Sequence, residues 1–261
     1  IARLVGSEMC IRDRKIKMDR GYIYLNKKSF LHNLEVLKNL SRKELCLVVK
    51  ANAYGHGLEW AVKNAKESGT KWFAVASVDE GMQVKKVYEE SRVLLLAEPS
   101  KIQLENIKEN DIDLTVYNES FIDTLIETGD EYSVHLKIDT GMHRLGCPPE
   151  KFYDLYKKIV DSDLNLIGIC THFPMADTDE TETKKSIELF EKTISDIDST
   201  SMLLHVDNSA STLYKLDNSF NMARVGIAAY GVQITAVENE NELIPTLSLI
   251  HISEPTRRAI I

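Results

Sequence analysis

Short apolar segments alternate along the chain with longer segments in which apolar residues recur at helical spacing. Eight apolar segments stand out, namely Leu45–Lys50, Trp72–Ala76, Val93–Leu96, Asp113–Tyr117, Ser133–Asp139, Leu166–His172, Leu203–Asn208 and Ala223–Ile227. Because they lack the strict alternation of a half-exposed strand, they indicate parallel strands covered on both faces. The intervening segments predict helices at Leu58–Ser68, Asp79–Glu90, Ile102–Glu109, Glu119–Glu127, Lys151–Asp161, Thr183–Asp196 and Ala210–Lys215.

Eight β units separated by helices predict an α/β protein with a (β/α)8 TIM barrel, and a doubly wound open sheet is the alternative. One further strand, Tyr22–Asn26, and a helix at Phe30–Leu40 precede the eight units. No Pro/Gly/Ser-rich linker divides this region, so we expect a single barrel domain over residues 17–247.

The two ends of the chain differ from this body. The strings SEMCIRDR and SLIHISEPTRRAII resemble translated sequencing-adapter sequence. We therefore expect residues 1–16 to be an artefactual extension and residues 248–261 to be an artefactual tail.

Composition narrows the function classes. Hydrophobic residues make up 43% and charged residues 28% of 261 residues, which excludes intrinsic disorder. The net charge of −8 argues against nucleic acid as a partner. No apolar run approaches the ~18 residues of a membrane span, so no membrane partner is expected for this segment. The four cysteines show no C-x-x-C spacing, which favours a reducing, cytoplasmic setting and no metal site.

Polar residues gather where the predicted strands end. They are Lys50, Lys137, Asp139, His172, Asn208, Ser209 and Arg224. Since all strand carboxyl ends of a parallel barrel open on one face, we expect these side chains to meet at one mouth. Burying an ammonium group at the end of an apolar strand is costly, so Lys50 is a candidate amine nucleophile.

At Lys50 the chain resembles a known family. The segment VVKANAYGHG (Val48–Gly57) resembles the pyridoxal-phosphate lysine motif of bacterial alanine racemases. Four further motifs of that family follow in the family's order: HLKIDTGMHRLG (His135–Gly146), THFPMAD (Thr171–Asp177), HVDNSAS (His205–Ser211) and RVGIAAYG (Arg224–Gly231). The resemblance runs from Met18 to about Leu247 and implies the family's N-terminal barrel domain with pyridoxal 5'-phosphate as cofactor.

The resemblance implies a role for each matching residue. Lys50 matches the lysine that holds the cofactor covalently and acts as one of two catalytic bases. Arg224 matches the arginine that donates a hydrogen bond to the pyridine nitrogen, which would suppress transamination. His172 matches the histidine that bridges Arg224 and a catalytic tyrosine.

Other matches concern the phosphate and the cofactor's phenolic oxygen. Tyr54 matches a phosphate ligand, and the family's phosphate cup falls on Asn208, Ser209, Gly226 and Ile227. Lys137 matches a lysine that is often carbamylated, and Arg144 matches the arginine that this anion positions.

By resemblance, the function is interconversion of L- and D-alanine for peptidoglycan, performed by a homodimer. The family continues into a C-terminal β-domain whose tyrosine is the second base. Because the match stops near Leu247, we expect a truncated chain with one base and weak activity. The alternatives are a serine racemase of the same family, including a membrane-anchored one, and a non-racemising single-domain pyridoxal-phosphate-binding protein. A pyridoxal-phosphate decarboxylase is disfavoured, because such enzymes usually place an acidic residue at the pyridine nitrogen.

Overall fold

The predicted barrel is confirmed. The computed structural model describes residues 14–18, 21–215, 220–234 and 243–251. Within this part of the chain, eight parallel strands close a barrel in the order β10-β3-β4-β5-β6-β7-β8-β9. Their bounds are β3 Glu44–Val48, β4 Trp72–Val75, β5 Arg92–Leu95, β6 Ile112–Val116, β7 Ser133–Lys137, β8 Asn165–Cys170, β9 Leu203–Asp207 and β10 Met222–Val225.

Helices follow the strands and cover the outside of the barrel. Their bounds are α1 Lys27–Ser41, α2 Leu58–Glu67, α3 Val78–Val87, α4 Leu104–Glu109, α5 Glu119–Thr128, α6 Phe152–Val160, α7 Glu180–Ile194 and α8 Ser209–Leu213. The helix predicted from Thr183 begins three residues earlier. The reason is Asp179, whose carboxylate accepts a hydrogen bond from the Glu182 N–H at 3.0 Å and caps the helix.

Two apolar layers stabilise the barrel. The larger one lies between strands and helices and includes Leu47, Phe73, Leu114 and Ile169. A smaller cluster fills part of the barrel interior, with Cys46, Val48, Trp72, Ala74, Leu94 and Met222 as members. Buried polar side chains share that interior, and they are Asp113, Thr115, His135, His205 and Arg224.

A small antiparallel sheet stands beside the barrel. Its central strand is β2 (Gly21–Leu25), which pairs with β1 (Arg14–Met18) on one edge and β11 (Leu247–His251) on the other. The predicted domain boundary after residue 16 falls inside β1, and the boundary after residue 247 falls inside β11. The remainder of the two predicted extensions, residues 1–13 and 252–261, lies outside the described residues. No helix in the described ranges combines the length and apolar character needed to cross a membrane.

Candidate active site

The carboxyl ends of the strands surround a cavity of about 470 Å³. The structure places every site residue predicted from the sequence on its lining: Lys50, Tyr54, Lys137, Arg144, His172, Asn208, Ser209, Arg224, Gly226 and Ile227. Most of them lie at the last residue of a strand or just beyond it, so the closure of the barrel is what brings them together.

Lys50 begins a turn of left-handed backbone. The four residues after it, Ala51–Tyr54, all have φ between 51° and 55° although none is glycine. Such a conformation costs about 1–2 kcal/mol for each residue and persists only where its surroundings hold it. Here the N–H of Ala53 donates to the Val49 carbonyl at 2.7 Å, and the N–H of Leu58 donates to Asn52 Oδ1 at 2.8 Å. The turn places both Lys50 and Tyr54 on the cavity.

Gly226 is required for space beneath Tyr54. A Cβ at this position would lie 2.4 Å from the Tyr54 hydroxyl oxygen. Ser209 joins the same patch, because its Oγ accepts hydrogen bonds from the N–H groups of Gly226 at 3.0 Å and Ala228 at 3.3 Å. Burial raises the pKa of Tyr54, so its hydroxyl keeps a proton to donate.

Asn208 lines the cavity while its side chain caps α8. Its Oδ1 accepts from the Ser211 N–H at 3.1 Å, and its own N–H donates to Ser211 Oγ at 2.9 Å. This reciprocal capping fixes the first turn of α8 and therefore orients Ser209, the next residue.

Arg224 is buried, and both of its terminal nitrogens contact acceptors. Its Nη1 donates to His205 Nδ1 at 2.7 Å and also to the His205 carbonyl, while its Nη2 donates to the Thr171 carbonyl. His172 Nδ1 lies 3.4 Å from Nη2. Since a buried charge is tolerated only when its donors are paired, these contacts hold the guanidinium in one position.

His172 is neutral in this setting. Burial, with help from Arg224, Lys137 and Arg144, lowers its pKa to about 3. The contact with Arg224 is half of the bridge predicted for this histidine. The other half, to a catalytic tyrosine, stays a prediction.

Lys137 is held by the loop that follows β7. Its Nζ donates to the Leu145 carbonyl at 2.6 Å, and only 8% of the residue is exposed. The loop folds back closely at Gly146, where a Cβ would lie 2.6 Å from the Asp139 nitrogen. Burial lowers the pKa of Lys137, and Arg224 and Arg144 lower it further against the opposing effect of Cys170 and Asp139.

Asp139, one of the polar residues at the strand ends, serves that loop rather than the cavity. Its Oδ1 accepts hydrogen bonds from the N–H groups of Gly141 and His143, each at 3.0 Å. Although burial opposes it, these bonds lower the pKa of Asp139. The carboxylate therefore shapes the loop that carries Arg144.

Sequence reasoning missed two buried histidines, His135 and His205, that lie against the site. His205 holds Arg224, and His135 Nδ1 lies 2.8 Å from His205 Nε2. A signal was present, because His135 precedes Lys137 by two residues and side chains two apart on a strand share a face.

Thiol chemistry is disfavoured in the barrel. Burial raises the pKa of Cys46 and of Cys147 to about 12, so neither offers a thiolate. The described residues contain no group of three or more histidine, cysteine or acidic side chains placed to hold a metal ion.

The fold and site together define a (β/α)8 barrel with a lysine and a buried arginine at its mouth. The family model described as "Alanine racemase, N-terminal domain" matches residues 25–234. The chain therefore belongs to the alanine racemase N-terminal domain family, as its motifs indicated. This family depends on pyridoxal phosphate.

Individual relatives agree with this assignment. The alanine racemase of Treponema denticola is 36% identical over 210 residues, which are 76% of this chain and 55% of that protein. The alanine racemase of Listeria innocua is 32% identical over 250 residues, covering 92% of this chain and 66% of that protein. The solved structure of alanine racemase from Clostridium difficile 630 superimposes with a TM-score of 0.83 at 28% identity, covering 90% of this chain and 65% of that one. The chain thus spans between about half and two thirds of the length of these relatives.

Proposed function

We propose that this chain is the cofactor-binding barrel of a pyridoxal-phosphate-dependent amino-acid racemase that interconverts L- and D-alanine. One observation carries the proposal: Lys50 and the buried guanidinium of Arg224 line a single cavity together with the hydroxyls of Tyr54 and Ser209. An amine can hold this cofactor's aldehyde, a fixed cationic donor can face its ring nitrogen, and hydroxyl groups can bind its phosphate.

The cavity suits the cofactor in size and in donors. Its volume of about 470 Å³ lies within the usual range for small-molecule sites. Tyr54 and the residues of the predicted phosphate cup would hold the phosphate, since all of them line the cavity: Asn208, Ser209, Gly226 and Ile227. Arg224 would face the ring nitrogen.

When bound, the cofactor supplies an electron sink that makes the α-proton of an amino acid acidic. Lys50 Nζ removes that proton from one face and returns it there. His172 stays neutral at the edge of the cavity, because its pKa is lowered to about 3.

Arg224 sets how strongly the ring withdraws electrons. A guanidinium keeps its proton, so it donates a hydrogen bond to the ring nitrogen without protonating it. The weaker sink favours return of the proton to the α-carbon over transamination.

Lys137 is proposed to carry a carbamate. Its lowered pKa leaves a larger share of free amine, which adds to carbon dioxide and releases one proton. The resulting anion would be attracted to Arg224 and Arg144, which both lower the pKa of the unmodified amine. Labelled bicarbonate and carbon NMR test this, and the carbamate signal should vanish in Lys137→Ala but remain in Lys101→Ala.

The remaining parts of the proposal extend beyond the described residues. Racemisation uses two bases, and the second, a tyrosine, would come from outside the described residues. We also propose that the protein containing this barrel is a cytoplasmic homodimer. Serine is the second candidate substrate.

Exchange of the α-proton tests the proposal. With cofactor in deuterated water, we expect one enantiomer of alanine to exchange its α-proton faster than the other, because Lys50 reaches one face. Lys50→Ala should abolish this exchange, while the surface variant Lys63→Ala should leave it unchanged. Cofactor binding without any α-exchange would instead favour a non-racemising binding protein.

A further inference from the structure

A chain of hydrogen bonds leads from Arg224 into the barrel interior. Arg224 Nη1 contacts His205 Nδ1 at 2.7 Å, and His205 Nε2 contacts His135 Nδ1 at 2.8 Å. Both histidines are fully buried, and their rings meet edge to face with centroids 4.9 Å apart. The three side chains come from β10, β9 and β7, so the chain crosses the barrel from strand to strand.

The Arg224 guanidinium determines which ring nitrogen of His205 and of His135 carries the proton. Arginine has donors and no acceptor, so His205 Nδ1 must accept and His205 carries its proton on Nε2. That N–H donates to His135 Nδ1, which leaves the proton of His135 on Nε2. Both rings are neutral, because burial and nearby guanidinium groups lower the pKa of His135 to about 3 and that of His205 well below its ordinary value.

Packing prevents His135 from turning to another arrangement. A Cβ at Gly168 would lie 2.3 Å from His135 Nδ1, so the ring lies directly against the backbone of β8. Trp72 meets the ring edge to face, with centroids 5.8 Å apart and planes at 88°. The ring therefore presents Nδ1 to His205 and points Nε2 elsewhere.

This series of hydrogen bonds ends at two buried polar atoms that lack a hydrogen-bond partner in the described part of the protein. His135 Nε2 and Thr115 Oγ1 are both buried, and neither has a hydrogen-bond partner within the described part of the chain. Thr115 and His135 are register partners on β6 and β7, which places their side chains on the same face about 5 Å apart at Cβ. Thr115 also lines the cavity.

We propose that His135 is a positioning residue for Arg224, and that the chain ends on a water molecule bound between His135 Nε2 and Thr115 Oγ1. This water accepts a hydrogen bond from the His135 N–H and forms a second hydrogen bond with the Thr115 hydroxyl, as buried waters do between polar groups. The pair His205–His135 then keeps the guanidinium aimed at the cavity. The consequence for the cofactor ring rests on the proposed function, whereas the proton arrangement does not.

Histidine tautomers test this directly in the full chain without cofactor. With ¹⁵N-labelled histidine, long-range NMR correlations distinguish a proton on Nδ1 from one on Nε2. We expect His135 and His205 both to be neutral with the proton on Nε2 at neutral pH. A proton on Nδ1 of either ring, or a charged ring, would overturn the proposal.

Variants then test positioning. His135→Leu leaves the His205 N–H without an acceptor, whereas His135→Gln keeps an acceptor oxygen in the barrel. We expect the Arg224 guanidinium signals to broaden and the cofactor dissociation constant to rise about tenfold in His135→Leu, with recovery to within about threefold in His135→Gln. Unchanged Arg224 signals in a folded His135→Leu would refute positioning.

Thr115→Val provides a milder variant should His135→Leu not fold. It removes the threonine contact to the water and should shift the His135 Nε2 resonance while the His205 tautomer stays the same. An unmoved Nε2 resonance would refute the water site. The tautomer measurement needs no cofactor, so it would test the hydrogen-bond arrangement of His135 and His205 even if Lys50 proved not to hold the cofactor.

Discussion

Replacing Gly226 with alanine tests the close packing of the Tyr54 hydroxyl against Gly226, where we propose that the cofactor phosphate binds. The added Cβ would lie 2.4 Å from the Tyr54 hydroxyl oxygen, 3.1 Å from Cζ and 3.3 Å from Cε2. The hydroxyl must retreat by roughly 1 Å to restore ordinary contact. The ring cannot tilt freely, because it packs against the buried Tyr230 ring with centroids 5.6 Å apart.

Two effects should follow, each with its own size. Overpacking of this kind lowers the free energy of unfolding by about 1–3 kcal/mol. Displacing the hydroxyl removes a hydrogen bond to a charged group, which contributes about 1.5–3 kcal/mol. The cofactor dissociation constant in Gly226→Ala should therefore rise roughly 10- to 150-fold.

A double-mutant cycle with Tyr54→Phe separates these effects from a general loss of structure. Tyr54→Phe removes the atom that the new Cβ would strike, so Gly226→Ala should cost less than about 1 kcal/mol in that background. It should also weaken cofactor binding little further. Urea unfolding and cofactor titration of the four proteins supply the numbers. Strictly additive effects would refute the packing argument.

Two further predictions concern charge in and near the site. Arg224→Glu should place a carboxylate at the ring nitrogen and increase the share of alanine that is converted to keto acid. Arg224→Lys should not increase that share. Equal shares of keto acid in the two variants would contradict the role of Arg224. Acid should destabilise the chain, because three buried histidines stay neutral when folded, whereas an unfolded histidine takes up a proton below about pH 6.5. The pKa values of His135 and His172 are lowered to about 3, and that of His205 is lowered well below its ordinary value. The free energy of unfolding should fall by roughly 1.4 kcal/mol per pH unit for each histidine as the pH drops from about 6.5 toward 3. Asp113, whose pKa burial raises to about 6, offsets about one of them between pH 6 and its unfolded value near 3.8. Urea unfolding at several pH values measures the slope, and a flat profile would mean that the histidines are not held neutral.

Strand positions could be predicted from the sequence because a closed parallel barrel buries both faces of every strand. Each of the eight apolar segments overlaps a barrel strand, and the polar residues at their ends, except Asp139, meet at the mouth. The first residues of helices were harder to predict from the sequence, since they depend on single capping residues such as Asp179. The sheet that β2 forms with β1 and β11 was not predicted, because its outer strands fall at segments set aside as extensions.

The backbone at Lys50 had no signal in the sequence. Alanine favours right-handed helix, so Ala51 and Ala53 argue against the left-handed turn that the structure contains. Hydrogen bonds from the N–H of Ala53 to Val49 and from the N–H of Leu58 to Asn52 hold it once it has formed. The His205–His135 pair was overlooked for a different reason. The prediction considered residues at the ends of strands, whereas His135 lies two residues before the end of its strand and therefore deeper in the barrel.

The most direct test of the account is to locate the cofactor on the chain. The cavity offers two lysines, Lys50 and Lys137, and only Lys50 should carry the cofactor covalently. Borohydride reduction of the protein with pyridoxal phosphate, followed by peptide mapping, should find the modification on Lys50, and Lys50→Ala should abolish it while Lys137→Ala leaves it in place. A cofactor fixed on Lys137, or on no lysine of the cavity, would contradict the account.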